Sequence, residues 1–222
     1  MKTRILIFTT LLFLISSTFV TAAEPTFTLK LDSKPAVYVD EEVNVKLSVV
    51  DYVYGEHKTS ALDFQLIYNH EDFKYQDFSV TGNHNLNVTV TESVYSENQS
   101  KLRLIVIMMG KESAVNTDTD LLNIKFTPQK MSETSDFILF ESTAATSDGI
   151  LFHPVNVSTT VTVYDVLDVN QDGVINLADA AIASYRIGES AEEFPNCDVN
   201  RDGEINMEDV KLIIYHILNL TF

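Results

Sequence analysis

Residues 168–179 read D-V-N-Q-D-G-V-I-N-L-A-D, and residues 198–209, at a spacing of 30, read D-V-N-R-D-G-E-I-N-M-E-D. Carried on through Ile187 and Ile217, the two copies agree at 10 of 20 positions. A repeat of this strength marks one structural unit used twice. The spacing of its polar residues has a physical reason. A hard cation such as calcium takes about six to eight oxygen ligands, and a loop of about 12 residues supplies them from positions 1, 3, 5, 7, 9 and 12. In the first copy these are Asp168, Asn170, Asp172, the backbone carbonyl of Val174, Asn176 and Asp179. In the second they are Asp198, Asn200, Asp202, the carbonyl of Glu204, Asn206 and Asp209. Gly173 and Gly203 fall at position 6, where the chain turns sharply and a side chain is strained. Each loop gathers three carboxylates that repel one another unless a cation lies among them. An Asx-rich surface turn can imitate one such loop. Two copies in register predict two bound calcium ions.

Each loop leads into a helix. Asn176 and Asn206 are suited to cap these helices, Asp179 and Asp209 fall in the first turns, and Gly188 can end the first helix. Ile175 and Ile205 should point into a core between the loops. In the second helix Val210, Ile213, Ile214, Ile217 and Leu218 recur at helical spacing and predict the buried stripe. No helix enters either loop: 161–166 is strand-like, and Pro195 stands just before Asp198. Cys197, the only cysteine, occupies the place of Leu167 in the first copy and reads as a small apolar plug.

Working toward the N-terminus, the composition changes. Residues 165–222 hold 12 acids and 3 bases, whereas 24–164 hold 20 acids and 10 bases. The earlier stretch is rich in Val, Thr, Ile, Phe and Tyr in alternation. Strands are predicted over 26–31, 43–50, 61–68, 73–80, 87–94, 102–109, 121–127, 137–141 and 155–163. In 43–50, Val43, Val45, Leu47 and Val49 share one face, opposite Asn44, Lys46 and Ser48, as in a half-buried antiparallel strand. The continuous apolar run 104–109 predicts a strand buried on both faces. About nine short strands without a convincing helix argue for a two-sheet sandwich. The fold class is therefore mainly β with a small α module.

The first residues address the compartment. Lys2 and Arg4 precede an apolar run over 5–20, and Thr21, Ala22 and Ala23 follow, which predicts a secretory signal peptide over 1–23. The run is interrupted by Thr9, Thr10, Ser16, Ser17 and Thr18 and falls short of the roughly 20 apolar residues of a spanning helix. A secreted, extracellular protein without a membrane anchor is expected, held at a cell surface only through a partner. The formal net charge of −17 leaves no basic face for nucleic acid.

The duplicated loop-then-helix unit over 165–222 resembles a type I-like dockerin domain. Dockerins bind cohesins, which are nine-stranded jelly-roll β-sandwiches, and 24–164 resembles a cohesin. The stretch 61–73, A-L-D-F-Q-L-I-Y-N-H-E-D-F, carries that likeness: Asp63, Phe64 and Tyr68 fit the family's D-F-x-x-x-Y-D-P pattern, while Asn69 and His70 depart from it. The resemblance implies that Asp63, Tyr95 and Val106 lie on the sheet face that meets a dockerin. The family asparagine two residues before that aspartate is Ala61 here. On the dockerin side, loop positions 10 and 11 and helix positions 17 and 18 set partner choice. These are Leu177, Ala178, Ser184 and Tyr185 in the first copy, and Met207, Glu208, Ile214 and Tyr215 in the second.

The expected function is a non-catalytic adaptor joining cohesin- and dockerin-bearing proteins in a cellulosome-like complex, with polysaccharide reached by way of that complex. Two rival readings are direct carbohydrate binding by the sandwich and an enzyme with a dockerin tail. The chain has no tryptophan for a sugar platform. His57, His70, His84, His153 and His216 show neither metal nor triad spacing. Between 163 and Asp168 there is neither Gly nor Pro, and about 3.3–3.6 Å per extended residue gives little reach. The dockerin-like module should therefore rest against one end of the sandwich, with Tyr164, Val166 and Leu167 partly buried.

Overall fold

A computed structural model of the chain describes residues 26–53, 58–82 and 84–219. The predicted signal peptide lies outside them. Alternation of apolar and polar residues builds two facing sheets. The first carries β1 (Thr26–Asp32), β3 (Val43–Val53), β8 (Thr119–Pro128) and β5 (Phe73–Val80), in the order β1-β3-β8-β5. The second runs β2-β11-β9-β4-β7-β6, from β2 (Ala36–Tyr38), β11 (Ser158–Tyr164), β9 (Ser132–Thr146), β4 (Thr59–Asn69), β7 (Gln99–Met108) and β6 (Leu86–Val94); β10 (Leu151–Phe152) pairs with β9. Every pairing named here is antiparallel except β2 with β11, which is parallel.

The inward residues form one core. Val45, Leu47, Phe64, Leu104, Ile124, Phe126, Phe137 and Leu139 are fully buried within it. In β3 the inward and outward sets are those read from the sequence, and Ser48 on the outer side is covered by its bond to Asp120 (2.7 Å). The run 104–109 departs from expectation. Leu104, Val106 and Met108 face the core, but Ile107 and Met109 are exposed and Ile105 is half-buried, so this strand is buried on one face only. An apolar run cannot report which of its residues face outward.

Three further differences have local causes. β2 has three residues, too few for an alternation to show. β10 has two. β9 is much longer than 137–141 because Glu133 and Asp136 interrupt the apolar alternation before that stretch, and 142–146 carry no large apolar side chain after it. It is also bulged at Glu141, whose φ is 50°: Gln65 pairs with Phe140 but Asp63 with Thr143, leaving one extra residue on β9.

The C-terminal part carries α1 (Leu177–Tyr185), a 3-10 turn (Pro195–Cys197) and α2 (Met207–Ile217). Its core draws on equivalent positions of both copies: Val169 with Val199, Ala180 with Val210, and Ala183 with Ile213. Ile205 is buried and Ile175 packs against the cluster, as does Leu167 opposite buried Cys197. Burial also pushes the Cys197 thiol pKa up, in keeping with a packing role. In α2 the buried stripe is Val210 and Ile213, with Ile217 packed beside them. Ile214 and Leu218, expected in it, are exposed.

Between the parts, Tyr164, Asp165, Val166 and Leu167 are all half-buried. Asp165 turns the tether by accepting from the Leu167 amide through Oδ1 (2.9 Å) and from the Asp168 amide through its carbonyl (3.1 Å).

The sandwich depends on an aromatic cluster centred on Phe126, whose ring lies 4.9 Å from Tyr68, 4.7 Å from Phe137, 5.9 Å from Tyr75 and 6.5 Å from Phe73, centroid to centroid. Phe126→Ala should cost about 3–5 kcal/mol of sandwich stability. Urea unfolding followed by tyrosine fluorescence checks this. A midpoint unchanged from wild type would show that the cluster is not the packing centre.

Candidate calcium loops and recognition faces

Each loop is closed by its own aspartates. Asp168 accepts from the amides of Asp172 (3.2 Å) and Gly173 (2.9 Å), and Asp198 from those of Asp202 (3.1 Å) and Gly203 (2.9 Å). Asp179 accepts from Asn170 N (3.2 Å) and Asn176 N (2.8 Å); Asp209 accepts from Asn200 N (3.3 Å) and Asn206 N (2.8 Å). The second contact in each pair is half of a capping box. Asn176 Oδ1 accepts from Ala178 N (2.8 Å) and Asn206 Oδ1 from Glu208 N (2.7 Å), so both asparagines are N-caps. Asn170 and Asn200 each reach the position-5 aspartate with Nδ2 at 2.8 Å and accept its amide at 3.0 Å. Asp172 and Asp202 accept in turn from Val174 N and Glu204 N, both at 2.9 Å. The two loops repeat these bonds one for one.

Among the described residues no base forms an ion pair with these loop aspartates. Asp168, Asp179 and Asp209 are essentially inaccessible, and Asp198 is 9% exposed. Buried carboxylates ordinarily sit beside a cation, because desolvation of an unpaired charge is costly. Residues 165–222 contain three bases, and each is engaged elsewhere: Arg186 with Glu189 (2.9 Å), Arg201 with Asp40 (2.8 Å), and Lys211 with Glu208 (2.7 Å).

The donor set fits a hard divalent cation, being oxygen throughout. The amide bonds do not exhaust it, since an ionised carboxylate offers about four lone-pair sites. In the described geometry the carboxylates turn onto amides, and no three His, Cys, Asp or Glu among the described residues converge as a cage. The Val174 carbonyl accepts from Asn176 Nδ2 (3.0 Å). Position 9 also caps the following helix in both copies.

Gln171 and Arg201, at loop position 4, are left-handed with φ 58° in both copies. For residues other than glycine that conformation costs roughly 1–2 kcal/mol, so the loop closure must hold it. Both side chains point to the sandwich: Gln171 Nε2 reaches the Tyr38 hydroxyl (3.3 Å), and Arg201 reaches Asp40. Sequence reasoning did not single out Tyr38, Asp40, Asn196, Gln171 or Arg201. No local pattern announces contacts between residues more than a hundred positions apart.

The candidate recognition residues of the C-terminal part stand clear of this contact. Leu177 and Tyr185 are 73% and 78% exposed, and Met207 is 52% exposed. Ala178, Ser184, Glu208 and Ile214 are exposed as well, while Tyr215 is half-buried. On the sandwich, the outward face of β6, β7, β4 and β9 carries Asp63, gripped by Arg103 at 3.0 and 2.6 Å. Tyr95 is exposed at its margin, 6.5 Å from the Phe140 ring and under the Lys101 amine at 5.9 Å. Val106 does not belong to this face. It is wholly buried in the core, because strand alternation turns it opposite to its neighbours. The apolar surface there is Ile105 and Ile107, which pair across to Asp63 and Ala61.

Comparison with known proteins agrees with this architecture. The Cohesin domain family model matches residues 27–163, and that of the Dockerin type I domain matches 155–218. The overlap takes in most of β11, which the structure pairs with β9 and β2 of the sandwich. A cohesin module of a family 33 glycoside hydrolase from Clostridium perfringens superposes with a TM-score of 0.55 at 18% identity, over 64% of this chain and 99% of that one. A chain of a type I cohesin–dockerin complex from Clostridium thermocellum does so with a TM-score of 0.50 at 15% identity, over 63% of this chain and 99% of that one. At such identities the likeness is one of fold. No curated protein matches the sequence. The chain belongs to the cohesin family, and a type I dockerin domain follows its cohesin domain.

Proposed function

We propose that this protein is a secreted, non-catalytic adaptor whose cohesin domain captures one partner while its dockerin domain, loaded with two calcium ions, is captured by another. Cohesin and dockerin domains are interaction modules of cellulosome-type assemblies, binding dockerin- and cohesin-bearing partners respectively. The observation that carries the adaptor reading is the exposure of both recognition faces in one chain: Leu177, Tyr185 and Met207 on the dockerin helices, and Ile107 beside Asp63 on the sandwich. Export is inferred from the charged, apolar and small-residue pattern of 1–23. Among the described residues no helix is long and apolar enough to cross a membrane.

Dockerin domains as a family bind calcium. Here the residues that would hold it are Asp168, Asn170, Asp172, the Val174 carbonyl, Asn176 and Asp179, with Asp198, Asn200, Asp202, the Glu204 carbonyl, Asn206 and Asp209 in the second copy. The ion supplies the positive charge that the buried aspartates lack. The residues themselves set the loop path, and through Asp179 and Asp209 they start the helices.

Calorimetric titration of the full chain should show two calcium sites. Calcium at a hundredfold excess over Kd stabilises the folded dockerin domain by about 2.7 kcal/mol per site, so its melting temperature should fall in EDTA. Asp209→Ala should remove the second site and loosen α2. Two equivalent sites in that variant would contradict the assignment.

Partner capture is checked with dockerin-bearing proteins from the native secretome. Ile107→Asp should weaken their retention by the cohesin domain at least about tenfold, equivalent to ~1.4 kcal/mol, without moving the unfolding midpoint. Unchanged retention would remove Ile107 from the recognition face. Retention of the lone chain on insoluble polysaccharide would favour direct sugar binding by the sandwich instead.

A further inference from the structure

Side-chain contacts between the two domains come from the loop tips and the 3-10 turn. Tyr38 ends β2, which runs parallel to β11 and places Tyr38 beside Tyr164, where the chain leaves the sandwich. The Tyr38 hydroxyl donates to Asn196 Oδ1 (2.9 Å) and accepts from Gln171 Nε2 (3.3 Å). The Arg201 guanidinium lies over the Tyr38 ring, 5.0 Å from its centroid, and holds Asp40 at two points, 2.8 and 3.2 Å. One tyrosine therefore receives the position-4 side chain of each loop.

We propose that the loop tips and the β2 corner form a calcium-gated clasp. The loop-tip face of the dockerin domain is a docking surface whose partner is the sandwich edge of the same chain, and cations in both loops hold it shut. The proposal rests on the calcium reading above. Gln171 and Arg201 reach Tyr38 from left-handed positions that exist only while each loop is folded around Asp168 or Asp198. Without a cation the three carboxylates of a loop repel, and the tip is released with them. Tyr38 takes the position-4 contact of each copy, so both loops must be closed at once.

Charge agrees with this surface. Arg201 is the one base among the loop residues 168–179 and 198–209, and it meets an acid at the sandwich corner. The turned tether at Asp165 holds the two sides close. With the clasp shut, Leu177, Tyr185 and Met207 stay exposed. The chain then presents its two recognition faces at a fixed angle. Chelation would turn this rigid coupler into a flexible one.

The test is small-angle scattering on the full chain, with calcium uptake followed on the same samples by titration calorimetry. Wild type in calcium should give one compact distance distribution, and in EDTA a broader one with a larger maximum dimension. EDTA alone could broaden the profile by unfolding the dockerin domain, so the deciding arm keeps calcium. The double variant Tyr38→Phe with Arg201→Ala removes the hydroxyl bonds, the ion pair and the ring contact, yet touches no proposed ligand. It should still take up two calcium ions, about fivefold more weakly because docking and loading are linked, while scattering as a flexible pair. A compact profile for the calcium-loaded variant, with wild-type affinity, would overturn the clasp and leave the calcium reading standing. No calcium uptake by wild type would overturn both.

Discussion

Six aspartates concentrated in two short loops, four of them buried and none neutralised by the domain's own bases, are the constraint on which the dockerin domain depends. Asp179 and Asp209 show how far it extends. Each closes a loop with one oxygen and completes a capping box with the other. Loop shape and helix start are therefore a single event. The small core between α1 and α2, with residues no larger than Ile at its buried centre, follows from helices already aimed by these caps. A domain of this size buries too little apolar surface to be indifferent to its charges.

The cohesin domain depends on the opposite balance. Its aromatic and aliphatic core is extensive and joins the two sheets by packing. The outward face of β6, β7, β4 and β9 is then free to carry residues that packing would not choose. Ile105 and Ile107 are such residues, apolar on a solvent face and flanked by the Asp63–Arg103 pair. Exposed apolar groups rimmed by charge are the usual composition of an interaction surface.

Legibility in the sequence followed how local each determinant is. The loops were readable residue by residue, because each position of the repeat has its own chemical task. Asn176 and Asn206 were readable as caps for the same reason. Most strands were readable from alternation, and β3 is the plainest case. Where the alternation was masked, the reading failed. In 104–109 every residue is apolar, so alternation gives no check on the outward place that the cohesin resemblance implies for Val106, and it does not mark Ile107, although the structure buries the first and exposes the second. Ile214 and Leu218 failed likewise, since a helical stripe wider than the available core leaves its margin exposed. The Tyr38 contacts were out of reach altogether, because they join positions separated by 133 and 158 residues.

The seam also explains why a duplicated domain need not behave symmetrically. Its core pairs equivalent positions, and its loops repeat the same hydrogen bonds, so the two copies present nearly the same tip. A sandwich corner has no such symmetry. If position 4 were the same residue in both loops, the domain could meet the corner in two orientations related by exchange of the copies. Gln171 and Arg201 remove that ambiguity. A neutral amide suits the Tyr38 hydroxyl, whereas a guanidinium suits both the ring face and the Asp40 carboxylate. Exchanging the copies would leave Asp40 facing an uncharged amide and would bring Arg201 toward the hydroxyl. The repeat keeps its symmetry where folding needs it and gives it up at the seam, where Gln171 and Arg201 differ and Asn196 stands in the place of Val166.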